Sequence, residues 1–308
     1  MCDRAILGCL IACLGRRWFQ TRAQPDSDTR KQVTRHPNLE ILSLTEEQEI
    51  REAGSLSSRQ LYEIIRREGD EELERPTNSL VWSGIAAGIL ISFSVLGEAI
   101  LRTHLPDTTW RYLVENLGYS LGFLLVILGR MQLFTENTIT TIFPLVNERS
   151  MSCLASVLRL WVIVLAANIA GAAVAAAFIA YSGAFSGDLL KNVADLSAHA
   201  TGFAPLEAFV RAVPAGILIA SIVWMLPSQK GNDVGLIILF TWLIAAGDFT
   251  HVIAGSVEMW FMIFESQLAA SPALFSFFLP VLLGNVVGGS AVFTMLAWGQ
   301  VAAEVDTQ

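Results

Sequence analysis

Six apolar stretches, near residues 79–101, 113–146, 154–181, 207–227, 234–264 and 273–301, set the first limit on what this chain can become. Crossing about 30 Å of hydrocarbon as a helix takes about 20 residues, and each stretch reaches that length. The expected fold class is all-α: a polytopic membrane protein with six transmembrane helices. The second and fifth stretches are too long for one simple helix, and polar residues interrupt both. The interruptions fall at Leu128-Gly-Arg-Met-Gln-Leu-Phe-Thr-Glu-Asn-Thr138 and at Ala245-Ala-Gly-Asp-Phe-Thr-His-Val-Ile-Ala-Gly255.

Charge is scarce and unevenly spread. Charged residues make up 16% of the 308, against about 25% in an ordinary soluble domain. Residues 1–78 hold 12 of the 20 Lys and Arg and 14 of the 28 Asp and Glu. A net charge of −8 with no basic patch excludes a nucleic-acid partner. The excess of Lys and Arg ahead of the first stretch places the N-terminus in the cytoplasm. Six spans then return the C-terminus to the same side.

The chain divides accordingly. Residues 1–56 form a polar extension, expected to be poorly ordered. Its apolar segment 5–15 is too short to span a bilayer. Reading Leu10-Ile11-Ala12-Cys13 as a lipoprotein site would put six nearby basic residues outside, against the positive-inside rule. Residues 57–76 read as a cytoplasmic amphipathic helix with Leu61, Ile64 and Ile65 on one face, ended by Pro76. It would lie on the membrane, on a neighbouring subunit, or free in water. Residues 77–302 are the membrane domain and 303–308 a short cytoplasmic tail. The four cysteines (Cys2, Cys9, Cys13 and Cys153) show no metal spacing and are expected as free thiols. No cofactor and no metal site is expected.

The halves repeat. Ala87-Gly88-Ile89-Leu90-Ile91 recurs as Ala215-Gly216-Ile217-Leu218-Ile219. Phe134-Thr135 recurs as Phe249-Thr250, which aligns Glu136 with His251. Asn168-Ile-Ala-Gly171 recurs as Asn285-Val-Val-Gly288. A unit of three helices is odd in number, so the second copy must be inverted across the membrane. In such folds the interrupted helices meet at the midplane and present their N-termini to the pathway. Irregular backbone at that depth is tolerated only where it is buried or lines a cavity. The two breaks therefore mark the candidate pore. Gly171, Gly288 and Gly289 fit close helix crossings. Asn168 and Asn285 are expected as buried amides holding loop backbone groups.

Ionisable residues at membrane depth are few, and each is a functional candidate. Glu98 and Arg102, one turn apart, suggest an interfacial pair, and Arg211 a snorkelling or vestibule residue. The central set is Arg130, Gln132, Thr135, Glu136 and Asn137 in the first break, with Asp248, Thr250 and His251 in the second. Glu136 has three candidate positions: beside Arg130, beside His251, or facing a vestibule. Asp248 reads as the cap of the half-helix beginning near Val252, or as a group supporting the pore from behind. Glu258, two turns beyond His251, reads as a subunit contact.

Several motifs, in order, resemble the formate/nitrite transporter family, most closely its poorly characterised bacterial inner-membrane branch. They are Glu115-Asn-Leu-Gly-Tyr119, Gln132-Leu-Phe-Thr-Glu-Asn-Thr138, Gly247-Asp-Phe-Thr-His251 with Gly255-Ser-Val-Glu258, and Gly284-Asn-Val-Val-Gly-Gly289. The resemblance covers residues 79–302. It implies an aquaporin-like protomer with broken second and fifth helices, assembled as a homopentamer with one pore per protomer, in a bacterial inner membrane. It places the family's pore histidine at His251 and its pore-loop threonine at Thr135, with Leu133, Phe134 and Phe249 in the flanking hydrophobic constrictions. The implied activity is passage of a small monovalent weak-acid anion of the formate/nitrite class, with a proton carried through the histidine, and not catalysis. Two departures make the path more negative. Glu136 stands where such channels have Gly or a small hydroxyl residue, and no vestibule lysine lies between Asn192 and Lys230. Passage of a different small solute, or a membrane scaffold without transport, are the alternatives they leave open.

Overall fold

A helix in hydrocarbon satisfies its own backbone, and every long apolar run here takes that form. The computed structural model describes residues 56–229 and 231–305. The polar extension, Cys2, Cys9, Cys13, Lys230 and the last residues of the tail lie outside the described residues. Described residues contain helices and turns and no strand. In chain order the helices are α1 (Ser58–Glu74), α2 (Thr77–His104), α3 (Arg111–Leu128), α4 (Phe134–Thr140), α5 (Ile142–Glu148), α6 (Met151–Tyr181), α7 (Gly187–Thr201), α8 (Pro205–Met225), α9 (Asp233–Ala246), α10 (Val252–Phe264) and α11 (Ala270–Glu304). Helices α2, α3, α6, α8 and α11 are long and apolar enough to cross a membrane. The fifth span is composite, made of the shorter α9 and α10 with the second break between them. The second span likewise stops at Leu128 and resumes as α4 and α5.

The inverted repeat is visible in backbone geometry. Gly129, Arg130 and Met131 donate back to the carbonyls of Leu125, Ile127 and Val126. Gly247, Asp248 and Phe249 donate to those of Leu243, Ala245 and Ile244 in the same pattern. Arg130 and Asp248 carry the left-handed conformation, with φ of +51° and +52°. These equivalences place the second break 118 residues after the first, not the 115 suggested by Phe134-Thr135 and Phe249-Thr250. His251 therefore corresponds to Leu133, and the alignment of Glu136 with His251 is corrected. The backbone hydrogen bonds set the register here, and a recurring Phe-Thr pair does not.

Small residues make the crossings. A side chain on Gly88 would collide with the Asn168 carbonyl, and one on Gly216 with the Asn285 carbonyl. Gly171 and Gly288 face the Ile85 and Val213 carbonyls in the same way. Along α11 the turns widen over Ala273–Phe278 and again over Val287–Thr294, the segment that carries Gly288 and Gly289.

Helix α1 starts with a capping box. The Gln60 N–H donates to the Ser57 hydroxyl oxygen, and the Ser57 N–H to the Gln60 side chain at 2.8 Å. Its apolar face is not free in water. Tyr62 and Ile65 pack into a cluster with Ile139, Phe143, Val223 and Val301 from α4, α5, α8 and α11. Gln300 near the chain's end donates to Ser58 at 2.9 Å, so both described ends share one face of the molecule. Helix α2 begins beside α1 and ends, at Arg102, in the wall of a chamber on the opposite face. Helix α7 lies between the third and fourth spans. It is polar on one side, and the apolar pattern of the chain did not reveal it.

Candidate functional site

Two asparagines hold the breaks in matching ways. The Phe134 N–H donates to Asn168 Oδ1 at 2.9 Å, and the Val252 N–H to Asn285 Oδ1 at 2.8 Å. Asn168 Nδ2 donates to the carbonyls of Gly84 and Gln132, both at 2.8 Å. Asn285 Nδ2 donates to those of Ala212 at 2.8 Å and Thr250 at 3.0 Å. Each amide thus satisfies one N–H and one C=O group of a break and bonds one carbonyl of the crossing helix beside it. Both are fully buried.

His251 sits at the start of α10 and caps it. Its Nδ1 accepts from the Ala254 N–H at 3.3 Å, so the capping role expected of Asp248 belongs to His251. Asp248 is turned away by its left-handed backbone and pairs with His199 of α7 at 2.9 Å. The cap also decides the histidine tautomer. Nδ1 accepts and carries no proton, so a neutral ring holds its proton on Nε2. Nε2 lies 2.8 Å from Thr135 Oγ1 and donates to it. The Phe123 ring packs edge-on to the imidazole, 5.0 Å between centroids. Thr135, His251 and Leu133 are nearly inaccessible to solvent, at 1%, 2% and 1%.

A chamber opens on each side of this plug. The first, on the α7 side, has a volume of about 410 Å³. Phe249, Thr250 and His251 line it, with Asp248, Tyr119, Asn116 and Phe277. It also takes in Glu98 and Glu258. Glu258 therefore faces the chamber. Arg102 approaches Glu115, at 3.9 Å, and not Glu98, so the interfacial pair expected from their spacing is absent. Arg111 supports Glu115 from the other side at 3.2 Å. Arg211 lies at the rim, bonded to Glu207 at 2.9 Å and stacked 4.3 Å over Phe203.

The second chamber, on the α1 side, has a volume of about 480 Å³. Arg130, Gln132, Glu136 and Asn137 line it, together with Glu68, Glu71 and Glu72 of α1 and Asp233 of α9. Glu136 faces this chamber and pairs with neither Arg130 nor His251. Gln132 donates to Glu72 at 2.8 Å and accepts from Asn137 at 3.2 Å, which ties α1 to the first break. Burial holds the Glu68 carboxyl above the usual carboxylate range. Arg130 opposes that shift, and Glu71 and Glu72 add to it. Leu133 and Thr135 lie between the chambers and line neither. Phe134 packs edge-on against Trp161, 5.6 Å away, and lines neither chamber. Thr250 donates to the Ala208 carbonyl at 2.9 Å while also facing the first chamber.

Sequence reasoning missed Phe123, Phe277, His199 and the acidic residues of α1. The first three sit on apolar or unremarkable stretches, and only the fold brings them to the path. The α1 acids were legible as charge, but their position over the chamber was not.

An inverted pair of three-helix units, with two chambers meeting at buried helix breaks, defines a channel-type membrane protein of aquaporin-like architecture. The model of the family described as formate/nitrite transporter matches residues 59–299. The chain is 38% identical over 248 residues to the inner membrane protein YfdC of Escherichia coli K12, covering 80% of each. It is 27% identical to the formate channel FocA of Haemophilus influenzae, over 70% of this chain and 84% of that one. A solved pentameric formate channel with formate bound superposes with a TM-score of 0.64 at 22% identity, covering 73% of this chain and 98% of that one. A solved ion channel of the same family superposes with a TM-score of 0.67 at 17% identity, covering 79% of this chain and 98% of that one. The chain belongs to the formate/nitrite transporter family.

Proposed function

We propose that this protein is a pore, not an enzyme, for a small monovalent weak acid of the formate/nitrite class. It would work as a homopentamer in a bacterial inner membrane with both termini in the cytoplasm. One observation carries the reading: the His251 imidazole, its Nε2 against Thr135, held in a buried constriction between two chambers. A bare charge in such a place costs up to tens of kcal/mol, so the solute needs a donor or a proton where the chambers meet. Nε2–H of His251 supplies the donor, and Thr135 is its partner until a solute oxygen takes its place. Proton transfer through the ring asks more. Nδ1 is occupied by the Ala254 N–H, so a second proton on the ring requires that cap to open. Proton-coupled passage therefore includes a movement at the start of α10. The relatives named as formate channels and the superposed channel with formate bound support this solute class.

The acid lining of both chambers favours a second reading, in which the solute is not an anion. One experiment separates the two. Flux into proteoliposomes is measured for formate, nitrite, acetate and ammonium at pH 5.5 and 7.5, with wild type, His251→Ala and His251→Asn. Formate or nitrite flux should rise at acidic pH and fall about tenfold or more in His251→Ala, the effect of losing a donor contributing about 1.4 kcal/mol. Asn caps a helix as His does here but does not reach as far, so His251→Asn should keep the stability and lose the flux. Ammonium flux without formate or nitrite flux would overturn the first reading in favour of the second.

A further inference from the structure

The chamber on the α1 side is built against the anion it is expected to pass. Five carboxylates line it, those of Glu68, Glu71, Glu72, Glu136 and Asp233, and the cationic side chain in its wall is Arg130. Acidity alone makes no site, but two of these groups are also unsatisfied. Glu136 Oε1 and Asp233 Oδ1 are buried and have no hydrogen-bond partner among the described residues. They come from separate elements, the first turn of α4 and the first residue of α9, so no local turn explains both. A buried carboxylate oxygen without a donor is costly, and a native fold keeps one only where something else meets it.

The arrangement limits what that something is. Among the described residues, no three His, Cys, Asp or Glu side chains converge as a metal cage. Calcium takes six to eight oxygens at 2.3–2.6 Å, and magnesium an octahedral set. A wall of separated carboxylates around about 480 Å³ suits a singly charged ion that stays partly hydrated and mobile. Rings of Asp and Glu select cations in pores on the same principle.

We propose that the α1-side chamber binds a small monovalent cation, an alkali-metal or ammonium ion, at the carboxylates of Glu136 and Asp233, and that this charge lets the weak-acid anion enter. The counter-charge role rests on the reading of the pathway given above; the cation site itself does not. Without such an ion, an anion entering from this side faces five carboxylates and one guanidinium among the described residues.

The test uses the full-length protein. Rubidium-86 binding is measured on purified protein, with potassium, ammonium and N-methylglucamine as competitors, for wild type, Glu136→Gln and Asp233→Asn. Saturable binding is expected, displaced by potassium and ammonium and not by N-methylglucamine. Affinity should fall about tenfold in each variant. Asp233 lies outside both breaks, so its variant reads the site if Glu136→Gln does not assemble. Absence of saturable binding in wild type, or wild-type affinity in both variants, overturns the site. Formate flux at fixed pH is then compared in potassium and in N-methylglucamine. Faster flux in potassium is expected, and equal flux with rubidium still bound overturns the counter-charge role. Rubidium binding in a protein that passes no formate in either medium leaves the site standing and overturns the anion reading.

Discussion

Asn168 and Asn285 show how much of a pore two side chains can hold. Each makes three buried hydrogen bonds to backbone groups of a broken helix and of the crossing helix beside it. Replacing either by Ala strands one donor and one acceptor of the break, each unsatisfied group costing about 1–3 kcal/mol. Because the two sites are equivalent, Asn168→Ala and Asn285→Ala should destabilise by similar amounts, about 3 kcal/mol or more. Thermal unfolding of the purified variants measures this, and a loss at one site alone would show that the repeat is not energetically symmetric. His251 and Leu133 occupy equivalent backbone positions with unlike chemistry. The polar donor is present in one half only, so the symmetry of the scaffold does not extend to the solute path. The asparagines were legible as buried amides because a polar residue in an apolar run has few other uses. The cap at His251 was not, since the sequence offers Asp248, a better capping residue by type. The left-handed backbone at Asp248, which turns that side chain toward His199, decided otherwise.

At the level of elements, α1 is the part of the chain whose role changed most between sequence and structure. Its 3.6-residue periodicity identifies a helix and says nothing of what covers the apolar face. The fold supplies the cover, from α4, α5, α8 and α11. Tyr62 meets Phe143 edge to face at 5.0 Å, and Gly69 lets the α1 backbone approach the Thr140 carbonyl and Pro144. No Cβ fits there. Gly69→Val should therefore undock α1 at a cost of about 1–3 kcal/mol, the usual effect of overfilling a packed contact. Hydrogen exchange over residues 58–74 would report it, with faster exchange in the variant expected. Unchanged protection would mean that α1 is held by its Glu72–Gln132 bond more than by its apolar face. The Arg66 guanidinium bonds Glu63 at 2.9 Å and Asp70 at 2.6 Å, and it holds the Glu63 carboxyl down at about 2.

For the whole molecule, the outward surface is as apolar as the inside. Trp82, Phe93, Phe275, Leu206 and Leu296 are exposed on the isolated chain. Such a surface needs lipid or further copies of the chain around it. The assembly proposed above is one of five protomers. Native mass spectrometry from detergent should give five times the 33.6 kDa of one chain. A predominant monomer or dimer under those conditions would count against the pentamer.

The sequence by itself determined the number of spans, the positions of both breaks, the presence of an inverted repeat and the family. These follow from local quantities: apolar length, the polar residues that interrupt it, and motifs in a fixed order. Hydrocarbon forces such information into the sequence, because an unpaired backbone group there is too costly to leave to chance. Only the tertiary structure decided the register of the repeat, the residue that caps α10, the partners of Glu98, Arg102 and Glu136, and the place of α1. Each depends on contacts and backbone geometry that the local apolar pattern does not fix. Helical periodicity gives the face a residue occupies, but the crossing of two helices sets what lies opposite. The acid lining of the α1-side chamber is of this second kind: its five carboxylates come from three elements, and only folding brings them around one space.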